Sequence, residues 1–286
     1  MLAVPAVSRV PAWLIVLAAL ANATAAALTF FVPDILTGPA VMNGSARGTT
    51  LIMLVLGVPL LLATLWLESR GSKWTTVARV GILAYLAYNG VMLLFATPFN
   101  RLFLLYVISL SSTAFALGTT LLRADASLVA ERLPRTSARI LGGYILAIVV
   151  LNALLWLRTV VPATFADDPT SFLEGTGLAT NPVFVQDLVF WLPSAGLIGW
   201  LAWTRRSWGA LLAGGYLGYG LLESIGVAVD QWFGAAADPS SEIATIGAVY
   251  IFGVLAVIGS GALWFYARAR REAGTSVSAV PVGSSA

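Results

Sequence analysis

The 286 residues are 59% hydrophobic and only 10% charged, with a mean hydropathy of +0.89; a soluble domain carries about 25% charged residues, so this composition excludes an ordinary soluble fold. The chain has no cysteine and no histidine, which excludes disulfides, thiolate nucleophiles, Cys/His zinc sites, histidine-ligated haem and the side chain most used for acid–base catalysis near neutral pH. The net charge is +3, but the basic residues stand at the ends of apolar runs rather than in a stripe suited to nucleic acid, so the expected partner is the lipid bilayer.

Those apolar runs are near 20 residues long, enough to cross a hydrocarbon core about 30 Å thick. Lipid offers no hydrogen bonds to exposed backbone, so such runs are helices or barrel strands. They are too long for barrel strands and do not alternate. The reading is therefore an all-α polytopic membrane protein of eight transmembrane helices. The first, 11–33, follows Arg9 and contains Ala23-Thr24-Ala25, features shared with a secretory signal; it is read as retained because it has a counterpart further along the chain. The second is placed at 49–67, with Pro59 mid-helix, and the third at 77–96. Thr97-Pro98-Phe99-Asn100 turns the chain tightly into the fourth, 101–122, where Ser109, Ser112, Thr113 and Ala116 form a small-residue packing seam. The fifth spans 140–161 and the sixth 185–204, with Pro193 inside it. Thr204-Arg205-Arg206-Ser207 leads to the seventh, 208–229, and the eighth spans 243–267. The stretch from Gly274 to Ala286 is Ser/Val/Ala/Gly-rich without pattern, and the cytoplasmic tail 268–286 is expected to be disordered.

Loop charges predict the orientation. With the N-terminus in the cytoplasm, thirteen basic residues fall inside: Arg9, Arg70, Lys73, Arg79, Arg123, Arg132, Arg135, Arg139, Arg205, Arg206, Arg268, Arg270 and Arg271. Three fall outside: Arg47, Arg101 and Arg158. Both termini are then cytoplasmic, in the inner (plasma) membrane.

The first four helices resemble the last four. Leu20-Ala21-Asn22-Ala23 matches Val150-Leu151-Asn152-Ala153. Pro59 and Trp74 have the spacing of Pro193 and Trp208. Tyr85-Leu86-Ala87-Tyr88 matches Tyr216-Leu217-Gly218-Tyr219, and Tyr106-Val107-Ile108 matches Tyr250-Ile251-Phe252. Matching helices cross in the same direction, so this is a parallel repeat of 4+4 helices: 1–122, a linker 123–139, then 140–267, with the tail 268–286. The halves differ at two places. Asp187 and Glu223 occupy the positions of Met53 and Met92, so one asymmetric site is expected rather than two.

Glu223 is the leading candidate. A carboxylate inside the hydrocarbon costs about 2.5–3.5 kcal/mol on insertion scales and normally faces the bundle interior. Tyr216, Tyr219, Glu223 and Asp230 fall at i, i+3, i+7 and i+14, on one face of the seventh helix. Asn89, Asn152 and Asp187 are expected at similar depth, with Arg101 and Arg158 nearby as partners for an anionic group or for Glu223. Together they predict an outward-facing polar pocket. Bland alternatives stand beside each: a Tyr–Glu network that only joins helices, interhelical bonding by each asparagine, and arginines snorkelling to headgroups. No nucleotide-binding loop, metal motif or catalytic triad is present, so no cofactor is expected.

Two stretches carry a resemblance. Tyr88-Asn89 with Phe99-Asn100-Arg101-Leu102-Phe103-Leu104-Leu105-Tyr106, and Asp187-Leu188 with Pro193 and Arg205-Arg206-Ser207-Trp208-Gly209, resemble patterns in uncharacterised multi-pass bacterial membrane proteins. The resemblance implies no activity. The function expected first is transport of a small molecule or ion. A membrane sensor or complex subunit comes next, and then an intramembrane enzyme acting on a lipid-linked substrate.

Overall fold

The computed structural model describes residues 10–72, 74–131 and 133–278; Arg9, Lys73, Arg132 and residues 279–286, which entered the charge and tail readings, lie outside them. Among the described residues there is no strand, and eight helices are long and apolar enough to cross a membrane. The chain is therefore a multi-pass α-helical protein, as the hydropathy predicts.

The first crossing is α1, Ala12–Phe31. The second is α2, Ala40–Ile52, a π-helical turn, Met53–Gly57, and α3, Val58–Ser69. Next come α4, Thr75–Phe95, and α5, Phe103–Leu122. A short connector helix, α6, Ala126–Ala130, precedes the fifth crossing, α7, Arg135–Thr164. The sixth crossing joins α8, Pro182–Gln186, a second π-helical turn, Asp187–Trp191, and α9, Leu192–Trp203. The last two are α10, Ser207–Ala237, and α11, Ile246–Ser278.

Three elements run past their predicted bounds by eight residues or more. The second crossing begins at Ala40 rather than 49, and α10 ends at Ala237 rather than 229. The two extensions pack on each other. A Cβ on Gly48 would stand 2.6 Å from the Asp230 Cα, so this contact requires glycine. The Ser45 hydroxyl donates to the Asp230 carbonyl at 3.4 Å. Arg47, expected in an outer loop, is thus on a helix. Helix–helix packing beyond the apolar run leaves no trace in hydropathy. The third change is α11, which continues as helix to Ser278 where a disordered tail from 268 was expected.

α10 is the hub, lying against α2, α4, α9 and α11. Gly81 of α4 and Gly215 of α10 meet so closely that a Cβ on Gly81 would stand 2.6 Å from the Gly215 carbonyl oxygen. Helix α5 seats on both α1 and α4. Its small-residue stripe is buried as the packing reading predicts: Asn22 of α1 donates to Thr113 Oγ1 at 2.8 Å, and Thr29 pairs with the Tyr106 hydroxyl at 2.7 Å. Helix α11 differs: it rests along α10 and barely touches α7.

Candidate functional site: a cavity between α7, α9, α10 and α11

The site begins with a proline. Pro193 has no N–H, and its ring crowds the carbonyl four residues earlier. The chain widens just ahead of it: the Leu192 N–H donates to the Asp187 carbonyl, five residues back. The same arrangement precedes Pro59, where the Val58 N–H donates to the Met53 carbonyl. Such π-helical turns occur often at functional sites. Here the wide turn holds Asp187 inside the bundle, 7% exposed. The Trp156 indole donates to Asp187 Oδ2 at 2.7 Å, and Tyr88 turns toward the same carboxylate.

Glu223 comes from α10, sixteen residues beyond Ser207 and so about 24 Å along the helix. Asn89 Nδ2 donates to Glu223 Oε2 and to the Tyr85 carbonyl, both at 3.0 Å. Between the two carboxylates stands an aromatic stack. Trp191 and Tyr219 lie face to face, centroids 4.8 Å apart and 11° from parallel; Tyr88 leans on both, at 5.5 and 6.0 Å, and Tyr216 lies 6.0 Å from Tyr219.

These groups surround a cavity of about 170 Å³. Of the residues expected from sequence, Asn152, Asp187, Tyr216, Tyr219 and Glu223 line it together. Asn89 stands behind Glu223 through its hydrogen bond. Two do not belong. Arg101 is exposed in the turn before α5, and Arg158 is exposed on α7; neither lines the cavity. Arg158 is six residues beyond Asn152, about 240° further round the helix, and Arg101 belongs to the α4–α5 hairpin. Asp230 also parts from the predicted ladder. It lines a separate space of about 40 Å³ with Ser45, Thr49 and Thr97, and accepts from Gln231 at 3.1 Å.

Sequence reading passed over Tyr144, Trp191, Ser224 and Phe252, which also line the cavity. Two had a signal: Tyr144 precedes Asn152 by eight residues, and Trp191 follows Asp187 by four, so each pair shares a helix face.

No basic side chain lines this cavity. Among the described residues the ion pairs are Arg79–Glu68 at 2.9 Å and Arg268–Glu272 at 2.7 Å, so neither Asp187 nor Glu223 is ion-paired there. No group of three or more metal-binding side chains occurs among them either. The arginines gather elsewhere: Arg135, Arg205 and Arg206 line a cavity of about 350 Å³ where α7 and α10 begin.

Fold and site define a multi-pass helical membrane protein with a two-carboxylate cavity inside its helical bundle. Compared with known proteins, the chain matches no family model, no curated protein and no solved structure, so the bacterial resemblance of its two motifs gains no family and its function is read from the cavity itself.

Proposed function

We propose that the chain is a transporter or permease for a small molecule or ion, with its substrate held in the cavity between Asp187 and Glu223. One observation carries the reading: both carboxylates meet at an open cavity within the spans, with no cation beside them among the described residues. A carboxylate kept only to join helices would be expected to be locked into a pair with its lone pairs satisfied. Glu223 has Asn89 as its donor, and Asp187 has Trp156 with Tyr88 turned toward it, all neutral groups, so each carboxylate at the cavity lacks a charged partner and keeps acceptor capacity. Charge asymmetry between the loops supports both termini lying in the cytoplasm. The matched π-helical turns before Pro59 and Pro193 support a parallel duplication, with the second half keeping the site.

The test is uptake of a panel of labelled small solutes by proteoliposomes. A solute carried by the wild type should be carried at least about tenfold more slowly by Glu223→Gln and Asp187→Asn, a loss of about 1.4 kcal/mol of substrate interaction. Flux unchanged by both substitutions removes the reading.

A further inference from the structure

We infer that the ligand is an organic monocation, a protonated or quaternary amine with an apolar body. The inference rests on the proposed substrate site and names its chemistry. Within the cavity, Asp187 and Glu223 supply two carboxyl groups that a cationic ligand would hold ionised, with no arginine or lysine in the lining to pair with them. Trp191, Tyr219, Tyr216 and Tyr144 supply ring surfaces. A carboxylate beside aromatic faces is the chemistry that recognises an ammonium group, because the ring quadrupole presents its negative face to the cation.

Asn152 makes a second, separate point. Its Oδ1 is buried and without a hydrogen-bond partner at the same cavity, whereas a buried side-chain oxygen normally has one. A free acceptor, carboxylates and ring faces without a fixed cation disfavour an anion. Apart from Ser224, the remaining lining is apolar, with Leu192, Leu221, Phe252 and Leu255 among it. It suits the body of an amine better than a hydrated metal ion.

The absence of cysteine makes the test direct. Ser224 lines the cavity, and its hydroxyl only donates back to the Gly220 carbonyl at 2.7 Å, so Ser224→Cys places one thiol at the site. Gly220→Cys, also at the cavity, serves where the first variant does not remain monodisperse in size-exclusion chromatography. The purified protein in nanodiscs is treated with trimethylammonioethyl methanethiosulfonate and with its sulfonatoethyl counterpart. After correction for their rates on free thiol, the cationic reagent is expected to react about tenfold faster. That preference should collapse toward one in the Asp187→Asn/Glu223→Gln background. Benzyltrimethylammonium should protect the thiol, while its uncharged isostere neopentylbenzene should not.

Equal rates, or a faster anionic reagent, overturn the cation assignment. Equal protection by both isosteres overturns it too, while leaving a ligand cavity and the transport reading in place. A thiol that even methyl methanethiosulfonate fails to reach means a sealed cavity, and both readings fall together.

Discussion

At the scale of single residues, the polar groups inside the bundle divide into those with complete partnerships and those without. Arg79 represents the first kind. It is 2% exposed, its Nη2 donates to Glu68 at 2.9 Å, and its Nε donates to Thr64 Oγ1 at 3.1 Å. Breaking a buried pair by removing one partner costs about 3–5 kcal/mol. Glu68 is 20% exposed, so Glu68→Leu is expected to destabilise by about 2–4 kcal/mol, with Glu68→Leu/Arg79→Leu recovering part of the loss. Thermal unfolding followed by circular dichroism measures both; a double variant less stable than Glu68→Leu refutes the account. Asp187 and Glu223 represent the second kind, and they were legible because a carboxylate is rare in a long apolar run and helical spacing puts it on a face with tyrosines. The arginine positions were not legible. Arg101 and Arg158 sit near helix ends, and hydropathy says nothing about which way an end-residue points. Trp191 and Tyr144 escaped for another reason: aromatic residues in an apolar helix are ordinary packing until a carboxylate is seen beside them.

At the scale of elements, what sequence missed was helix bought by contact rather than by apolar length. The extension of α2 from Ala40 depends on Gly44 and Gly48 lying against α10. Gly48→Leu should push those helices apart and destabilise by about 1–3 kcal/mol. Glycine at 220, with open space around its Cβ position, is the control: Gly220→Ala should be neutral or slightly stabilising, because alanine is the better helix former by about 1 kcal/mol. Equal unfolding temperatures for the two variants would remove the packing explanation. The connector α6 is held differently, by its cap. Asp125 accepts from the Ser127 and Leu128 amides, and the Ser127 hydroxyl bond leads in holding its carboxyl below the usual carboxylate range. A depressed folded value means that the cap contributes fully above the ordinary carboxylate pKa and fades as pH falls through the lower one. Amide exchange in α6, corrected for its intrinsic pH dependence, should therefore keep its protection down to that range and lose it below. Asp125→Asn should retain the protection without the acid step; a step that persists in Asp125→Asn excludes this carboxyl as its source.

At the scale of the whole molecule, the two halves differ in how their last helix seats. Helix α5 closes on both α1 and α4, and Asn22 of α1 is clasped by Thr113 of α5. Helix α11 leans on α10 and barely touches α7, and Asn152 of α7 has an unpartnered oxygen at the cavity. If the halves are a duplication, the second has lost one closure, and the cavity is the space that closure would fill. A helix with one packed neighbour has few contacts to resist a swing, whereas a helix held by two has a single seat. Spin labels can measure the difference in the cysteine-free background. One pair goes on Leu20 and Ile108, exposed on α1 and α5; the other goes on Val150 and Val254, exposed on α7 and α11. Dipolar distances in nanodiscs should be narrow and single for the first pair, and broad or multi-component for the second. The transport proposed above, by alternating access, would require at least two arrangements around the site, and α11, packed mainly on α10, is the element we propose to supply them. A second distribution as narrow as the first would mean that α11 is fixed, and that any gating must come from the wide turns ahead of Pro59 and Pro193.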